Sequence, residues 1–482
     1  MPNRRPTSSS GACADFRGSS WTRRHLLRAG SCASLAWPLG LLSRGSIAPA
    51  RAGEQPVAAQ PAAAHSAGAQ PPVRARHVIL LHQWGGPSQY ETFDMKPAAP
   101  AEIRGKWQPI ASVVPGIEVC EHLPRMAQVM DRCTLVRGVY HTMRNHSPAG
   151  YYSLTGHRPP LDDQRLRESP DLFPSYGSVV DRFAPAGEGI PTFVAYPHVI
   201  RDGAVTPGQG ASFLGKKHDP LFIAEDPNSP SFALPELSLP ESLSAARLES
   251  RLALQEVIDR QSSLLEFSAT AQGVAAAQQR AVSMLTSPNV RAAFDLSAEP
   301  DEVRERYGRT TYGQGCLLAR RLVESGVRFV NVYFSQSIGG ASGGWDTHEN
   351  NFPTIEKFHL PITDQTLPTL LVDLEERGLL DTTLVVWMGE FGRTPKINGK
   401  AGRDHWPQCY TVLLAGGGVK RGYVHGASDK LGVHPARDAV RPDDLAATIF
   451  YLLGIDPASE VYDPLARPLP IAAGRPIVDL IG

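Results

Sequence analysis

Residues 384–395 read Leu-Val-Val-Trp-Met-Gly-Glu-Phe-Gly-Arg-Thr-Pro. The apolar, valine-containing run Leu384–Val386 predicts a buried strand, and the glycines after it let the backbone turn and present Glu390 at the strand tip. In an open parallel sheet, ligands bind outside the carboxyl ends of the strands. Glu390 is therefore a candidate site residue, and so is the Asp404-His405 pair that follows soon afterwards.

The same arrangement occurs earlier in the chain. Trp345-Asp-Thr-His348 comes just after another predicted strand, Val327–Phe334. Carboxylates and imidazoles are common metal ligands. Each candidate also has a structural explanation: Asp346 can cap a turn, His348 can be a loop histidine, and Glu390 can pair with Arg393 or Arg403. The recurrence of such residues at three strand exits favours a metal site.

Strands alternate with helical patterns along the chain. The predicted strands are His77–Leu81, Cys133–Val139, Thr192–Tyr196, Val327–Phe334, Leu384–Met388 and Tyr410–Ala415, and the predicted helices include Leu317–Val323, Ile355–Leu380 and Asp443–Leu453. This order, with apolar strands, is typical of a mostly parallel sheet covered by helices on both faces, a three-layer αβα fold.

The N-terminus predicts export from the cytoplasm. Arg23-Arg24 precedes a mostly apolar stretch, Ala29 to Leu42, and small-residue cleavage sites lie between Ala48 and Ala52. We interpret residues 1–52 as a twin-arginine signal peptide, which places the mature protein in the periplasm or outside the cell. A membrane anchor is the alternative, but a span needs about 20 apolar residues and this stretch is shorter and interrupted.

The remaining chain divides into a linker and one domain. Residues 53–72 are rich in Ala and Pro and predict a disordered tether. Residues 73–482 predict a single α/β domain with a helical insertion at about 240–300. No other segment is apolar enough to form a stable membrane span.

Composition excludes some partners and one kind of metal site. Lys+Arg 48 equals Asp+Glu 48, so no net charge favours nucleic acid or an anionic membrane. Four cysteines remain after the signal peptide, widely spaced and without a C-x-x-C pattern, which argues against a zinc–cysteine site. A Cys120–Cys133 bridge is possible in an oxidising compartment, but buried thiols are the favoured interpretation.

A further candidate region is His141 to Pro159, which follows a predicted strand and leads into a helix. A helix N-terminus favours anions because its backbone N–H groups are free. His146-Ser147 lies there. Ser147 is a possible nucleophile, although a serine beside a proline is more often a helix cap.

Several of these residues carry a resemblance to known enzymes. Ser147-Pro148 followed by Leu154-Thr-Gly156 resembles the sulfatase signature. The strand and turn of residues 385–392 resemble the strand that ends in Ser-Asp-His-Gly in alkaline-phosphatase-like enzymes, and Asp404-His405 resembles the later metal-binding histidine of that superfamily.

From about residue 77 to 470 the chain resembles more closely an exported bacterial family known as domain of unknown function 1501. The motifs shared with that family are Trp84-Gly-Gly-Pro-Ser88, Thr92-Phe-Asp94, Asn145-His146, Leu154-Thr-Gly-His157, Gly344-Trp-Asp-Thr-His348, Gly389-Glu-Phe-Gly-Arg-Thr-Pro395 and Gly402-Arg-Asp-His-Trp406.

The superfamily resemblance implies an alkaline-phosphatase-like fold with two metal ions about 4 Å apart and a Ser, Thr or modified-Cys nucleophile. It implies that Asp346, His348 and His405, with Asp404 beside them, hold a divalent ion (Zn, Ca or Mn). Glu390 falls at the second ion's position.

This sequence departs from the superfamily pattern at three places. Phe391 replaces a histidine, and Gln83 and Trp84 stand where a carboxylate is expected. The nucleophile position falls on His146, with Ser147 one residue further. His146 could be a ligand, a nucleophile or a proton donor.

Two functions follow from this comparison. The first is a metal-dependent hydrolase of a sulfate or phosphate ester, acting on a small molecule or polysaccharide, with Arg144 and Arg393 as clamps for the anion. The second is a catalytically degenerate protein that binds a polysaccharide or a partner subunit. The sequence leaves the oligomeric state open.

Overall fold

A computed structural model describes residues 71–232, 287–334 and 344–482. The predicted signal peptide, all but the last two residues of the predicted linker, and most of the predicted helical insertion lie outside these described residues. Domain boundaries and export therefore stay predictions.

An eight-stranded sheet forms the centre of the structure. Its strands are β1 His77–Gln83, β2 Cys133–Val139, β3 Phe193–Tyr196, β4 Leu221–Phe222, β5 Phe329–Phe334, β6 Thr383–Met388, β7 Tyr410–Ala415 and β8 Tyr423–His425. Their order across the sheet is β8-β2-β7-β6-β1-β5-β3-β4. Neighbouring strands are parallel except at β7, which runs antiparallel to both β6 and β2. The predicted mostly parallel sheet is confirmed.

Ten α-helices lie in the described residues. They are α1 Ala101–Arg104, α2 Pro124–Ala127, α3 His146–Thr155, α4 Tyr176–Phe183, α5 Pro288–Phe294, α6 Asp301–Tyr307, α7 Thr311–Glu324, α8 Asn351–Thr354, α9 Leu360–Glu376 and α10 Pro442–Leu452. A π-helical turn, Ile355–His359, joins α8 to α9. The predicted helix Ile355–Leu380 therefore starts as a π turn and ends earlier, before Gly378, whose φ is +67°.

The described residues also form five two-stranded sheets. They are Pro109–Ala111 with Glu118–Cys120, Arg201–Asp202 with Ala204–Val205, Gly392–Arg393 with His405–Trp406, Ala427–Ser428 with Pro435–Arg437, and Glu460–Tyr462 with Pro468–Pro470.

Side chains of β1 alternate between two hydrophobic cores, one on each face of the sheet. Ile79 and Leu81 join the core that also contains α7 and α9, whereas Val78 and Leu80 join the core with α4 and α10. Each of these four side chains is fully buried, which stabilises the fold by about 1.5–3 kcal/mol per side chain before entropy is counted. The predicted helix–sheet–helix layering is thus observed.

The carboxyl ends of β1, β5 and β6 lie side by side, with Gln83 opposite Phe334 and His82 opposite Met388. β7 runs the other way, so its first residue, Tyr410, lies at this same edge, opposite the last residue of β2. The segments after β1, β2, β5 and β6 and the segment before β7 therefore all reach one edge of the sheet.

Two further predictions can be compared with the described residues. Cys120, Cys133, Cys316 and Cys409 are buried and unbonded, as the buried-thiol interpretation expects, so the alternative Cys120–Cys133 bridge is absent. Among the described helices, none has the length and apolar character needed to cross a membrane.

Candidate metal centre

The candidate centre is built around Asp346, which lies between β5 and α8, directly after a turn at residues 344–345. Its Oδ1 lies 3.1 Å from His348 Nε2 and 3.1 Å from His405 Nε2, and its Oδ2 lies 3.3 Å from His146 Nε2. The close approach of this loop depends on Gly85, which has φ +98°: an added Cβ would lie 2.4 Å from the Asp346 nitrogen. A glycine is therefore required at position 85 for the loop after β1 to pass this close to the Asp346 backbone.

A second glycine positions His348. A Cβ at Gly402 would lie 1.9 Å from the His348 carbonyl oxygen. The two loops are further joined by the Arg403 N–H, which donates to the Thr347 carbonyl (3.0 Å), and by Asn398 Nδ2, which donates to the His348 carbonyl (2.9 Å). These contacts hold the loop before β7 against the loop that carries Asp346.

Each of the three imidazoles contacts an accepting oxygen through its Nδ1 and an Asp346 carboxylate oxygen through its Nε2. The three pairs are His146 with Glu390 Oε1 (2.8 Å), His348 with Asp404 Oδ1 (2.7 Å) and His405 with the Arg144 carbonyl (2.7 Å). When a cation occupies the centre, each ring can keep its proton on Nδ1 and offer the lone pair of Nε2 to the cation. Three Nε2 atoms thus converge on one carboxylate: when protonated they donate to Asp346, and when deprotonated they can bind a cation.

Glu390 is the most deeply buried member of the centre. Its side chain is fully buried, and Oε1 accepts hydrogen bonds from His146 Nδ1 and from the Gly85 N–H, both 2.8 Å long. His141 Nε2 contacts the Glu390 carbonyl oxygen at 2.6 Å. Glu390 Oε1 therefore orients His146, while the buried Oε2 has no hydrogen-bond partner among the described residues.

The carboxylates of the centre are held ionised. Burial favours the protonated form of Asp346, but hydrogen bonds from His146, His348 and His405 together with the Arg393 charge hold its pKa far below the usual range. For Glu390, burial again opposes ionisation, and the hydrogen bond and charge of His146 outweigh it, so that its pKa is lowered. Both carboxylates are negative at neutral pH.

The three imidazoles differ in their pKa. Burial disfavours the charged form of His146, but its hydrogen bonds with Asp346 and Glu390 raise its pKa to about 9. The hydrogen bond with Asp346 raises the pKa of His348, whereas burial lowers that of His405. The surroundings of His146 and His348 therefore stabilise the protonated form of each ring.

The donor set fits a metal ion. One ligand atom from each of His146, Asp346 and His405 lies within 4.8 Å of the others, so a single ion could contact all three. His348 Nε2 and His405 Nε2 are only 3.0 Å apart. Two lone pairs at that distance repel each other unless a proton or a cation lies between them, and neutral imidazoles with a carboxylate suit Zn²⁺ and similar divalent ions.

Aromatic side chains enclose the centre. Phe391 stacks on His405 with ring centroids 4.3 Å apart and an interplanar angle of 27°, and Trp84 lies 5.1 Å from the His146 ring. Phe391 stands where the superfamily resemblance expects a histidine, and here it forms an apolar wall instead of a ligand.

The two predicted anion clamps, Arg393 and Arg144, differ in burial and in their contacts. Arg393 is fully buried, and all three guanidinium nitrogens donate to protein acceptors: Nη2 to Asp346 Oδ1 (2.7 Å), Nε to the Gly86 carbonyl (3.0 Å) and Nη1 to the Arg403 carbonyl (3.0 Å). Arg144 is exposed and contributes its carbonyl to His405. In the described residues, Arg393 thus positions Asp346 and the loop beside it.

The remaining predicted residues are also located. Ser147 Oγ accepts a hydrogen bond from Gln164 Nε2 at 3.3 Å. Asp404 contacts His348 and Asn398. The proposed pairing of Glu390 with Arg393 or Arg403 is not observed, because Arg403 Nε donates to Glu91 Oε1 (3.0 Å) and Arg393 pairs with Asp346.

Two buried histidines behind the centre had no assigned role in the sequence. His141 supports the Glu390 backbone, and His82 Nε2 contacts Ser153 Oγ at 2.9 Å. Burial lowers the pKa of each to about 4, so both are neutral supports. Their positions directly after β2 and at the end of β1 are the only sequence signal that could have identified them.

The structure is therefore an α/β protein with a candidate metal centre at the carboxyl edge of its sheet. The chain belongs to the family described as "Protein of unknown function (DUF1501)", whose model matches residues 75–481. No protein with curated annotation matches the sequence.

Three solved structures illustrate what the chain is similar to. A protein in the alkaline phosphatase superfamily from Vibrio parahaemolyticus is 11% identical, with 80% of this chain and 69% of that chain covered and a TM-score of 0.38. The PsFucS1 sulfatase from Pseudoalteromonas sp. is 13% identical (81% and 74% covered, TM-score 0.32). The phosphonate monoester hydrolase SpPMH from Silicibacter pomeroyi is 12% identical (85% and 76% covered, TM-score 0.32). Likenesses of this size carry no argument about activity.

Proposed function

We propose that this protein is a metal-dependent hydrolase of phosphate or sulfate esters that acts outside the cytoplasm after twin-arginine export. The observation that carries the proposal is the convergence of three imidazole Nε2 atoms on the Asp346 carboxylate. The ester class comes from the motif resemblance in residues 147–156 and 385–392.

We assign His146, Asp346 and His405 as the ligands of one divalent ion. They are the three residues with mutually close ligand atoms, and three protein ligands leave the open position that catalytic zinc sites keep. Such an ion, when bound, polarises a phosphoryl or sulfuryl oxygen and stabilises the charge that develops on it. Glu390 and the Arg144 carbonyl fix the ligand rings through their Nδ1 atoms, as supports behind metal ligands commonly do.

His348 is assigned to contact the ester. Its side chain is 43% exposed, compared with 10% for His146 and 19% for His405. Asp404 holds its Nδ1, which directs Nε2 into the centre. A substrate arriving from solvent meets this ring before it meets the two less exposed ones.

Water is assigned as the attacking group. Both ring nitrogens of His146 are engaged by carboxylates, and Ser147 Oγ lies against Gln164. Because His146 is assigned as a ligand and Ser147 Oγ contacts Gln164, water is the attacking group that this proposal takes.

One observation favours a second function, a binding or assembly protein that keeps the metal without turning over an ester. Arg393 is buried beside Asp346, and each of its guanidinium nitrogens donates a hydrogen bond to a protein acceptor. In other sites an arginine guanidinium binds an anion through two parallel hydrogen bonds. The Arg393 guanidinium is already engaged, so an ester anion at this centre would have to bind without it.

Elemental analysis of the purified protein, combined with turnover of aryl phosphate and aryl sulfate in Zn²⁺, Mn²⁺ or Ca²⁺, tests the proposal. We expect about one bound ion per chain, its loss in His146→Ala and His405→Ala, and retained ion but no turnover in His348→Ala. Ser147→Ala is the matched control and should keep both. Bound metal without any turnover would support the second function, and absence of metal would refute both.

A further inference from the structure

The peptide group between Arg144 and Asn145 is hydrogen bonded at both ends. Its carbonyl oxygen, on Arg144, accepts from His405 Nδ1 at 2.7 Å. Its N–H, on Asn145, donates to Asp162 Oδ1 at 3.0 Å. One amide plane therefore connects a carboxylate to the imidazole of a proposed metal ligand.

Asp162 holds this turn by several bonds. Its Oδ2 accepts from the Arg144 N–H at 2.9 Å. The Asn145 side-chain amide donates to Asp162 Oδ1 (3.1 Å) and to the Asp162 carbonyl (3.2 Å). Two backbone N–H groups and one side chain thus converge on a single residue in the loop between α3 and α4, which fixes the direction in which the Arg144 carbonyl points.

The three imidazoles differ in what lies behind Nδ1. His146 and His348 each contact a carboxylate directly, Glu390 and Asp404. His405 contacts a neutral carbonyl. Hydrogen bonds in series polarise one another, so a carboxylate on the N–H side of a peptide makes the carbonyl on its other side a stronger acceptor. Asp162 thereby supplies to His405 what Glu390 and Asp404 supply to the other two rings.

From this geometry we infer that Asp162 is a positioning residue of the metal centre: through the Arg144–Asn145 peptide it orients His405 and strengthens its Nε2 as a ligand. The inference rests on the proposed function in that it takes His405 as a ligand. Asp162 itself contacts neither the ligands nor the space between them.

The neighbouring residue offers a matched control. Asp163 is in the same loop, and its carboxylate pairs with Arg165 at 2.7 Å and accepts from the Arg165 N–H. It therefore has the same charge and a local structural role without a connection to His405. Asp162→Asn keeps the size of the side chain but presents an amide NH₂ to N–H donors, which breaks at least one of the two backbone bonds.

Metal affinity is the first measurement. Supports behind metal ligands change affinity by about 10–100-fold, and because Asp162 acts through a peptide we expect the lower end, a dissociation constant for Zn²⁺ raised about 10-fold in Asp162→Asn and unchanged in Asp163→Asn. An equal affinity in the two variants, in a protein whose wild type binds Zn²⁺, would overturn the inference. Failure of the wild type to bind Zn²⁺ would instead count against the proposed function.

Proton NMR of ¹⁵N-histidine-labelled protein gives a readout that a general loss of stability does not produce. Asp162→Asn should shift the Nδ1–H resonance of His405 while those of His146 and His348, assigned with Glu390→Gln and Asp404→Asn, stay in place. Because this resonance can be read in metal-free protein, it tests the inference even if no ion binds. A His405 resonance that does not move, or a shift of all three, would contradict it.

Discussion

Replacing Glu390 by Gln tests whether the centre depends on the charge behind His146. Glu390 is fully buried, and its Oε1 accepts from both His146 Nδ1 and the Gly85 N–H at 2.8 Å. Gln has nearly the same shape, so packing should be preserved while the negative charge is lost. Hydrogen bonds to a charged group are worth about 1.5–3 kcal/mol, compared with about 1 kcal/mol for neutral pairs.

The loss of charge assistance should appear as weaker metal binding. The difference of about 0.5–2 kcal/mol corresponds to a dissociation constant raised about 2–30-fold. Competition with a chromophoric chelator at fixed pH measures it directly. Glu356→Gln is the matched control, because Glu356 is exposed and pairs with Lys106 at 2.8 Å, away from the centre.

Thermal unfolding of the metal-free variant separates a folding defect from a ligand defect. A Glu390→Gln protein that folds normally and binds metal as tightly as the wild type would refute the assignment of His146 as a ligand oriented by a carboxylate.

Three further outcomes follow from the same geometry. In metal-free protein, His146 has a pKa of about 9 against 6.5 unfolded, so its stabilisation of about 3 kcal/mol is fully present below pH 6.5 and lost as pH rises through 9; urea unfolding at several pH values measures this, and a flat profile contradicts it. Gly402→Ala should lower both stability and metal affinity because the new Cβ collides with the His348 carbonyl, whereas Gly399→Ala, with open space around it, should change neither; equal thermal midpoints would be the contrary result. Ser147→Ala should retain turnover within about twofold if water attacks the ester, and a complete loss of kcat with metal still bound would restore Ser147 as nucleophile.

Much of the sheet could be predicted from local pattern alone. The strands β1, β2 and β6 are almost entirely buried, so each contains a short apolar run, Val78–Leu81, Leu135–Val136 and Leu384–Met388, that is visible in the sequence. Helix ends were less well predicted. The π turn Ile355–His359 has no local composition that marks it, and Gly378 ends α9 earlier than the apolar pattern suggested.

The sequence pattern did not predict the direction of β7. Tyr410–Ala415 is buried along its whole length, as the parallel strand β6 is, because burial on both faces imposes the same composition whichever way a strand runs. Only its pairing with β6 and β2 shows that it is antiparallel. That direction brings Asp404 and His405 to the edge where the other site loops end.

The sequence by itself determined which residue types could hold a metal, since glycine-flanked His, Asp and Glu at strand exits are a local signal. It could not determine their roles. Glu390 and Arg393 were both candidates for direct contact, and the structure adds that each is fully buried and contacts a proposed ligand, His146 and Asp346 respectively. Asp162 gave no signal because its effect passes through a peptide bond of another segment. Tertiary structure decided these roles, because a hydrogen bond is fixed by where loops meet in space and not by their order along the chain.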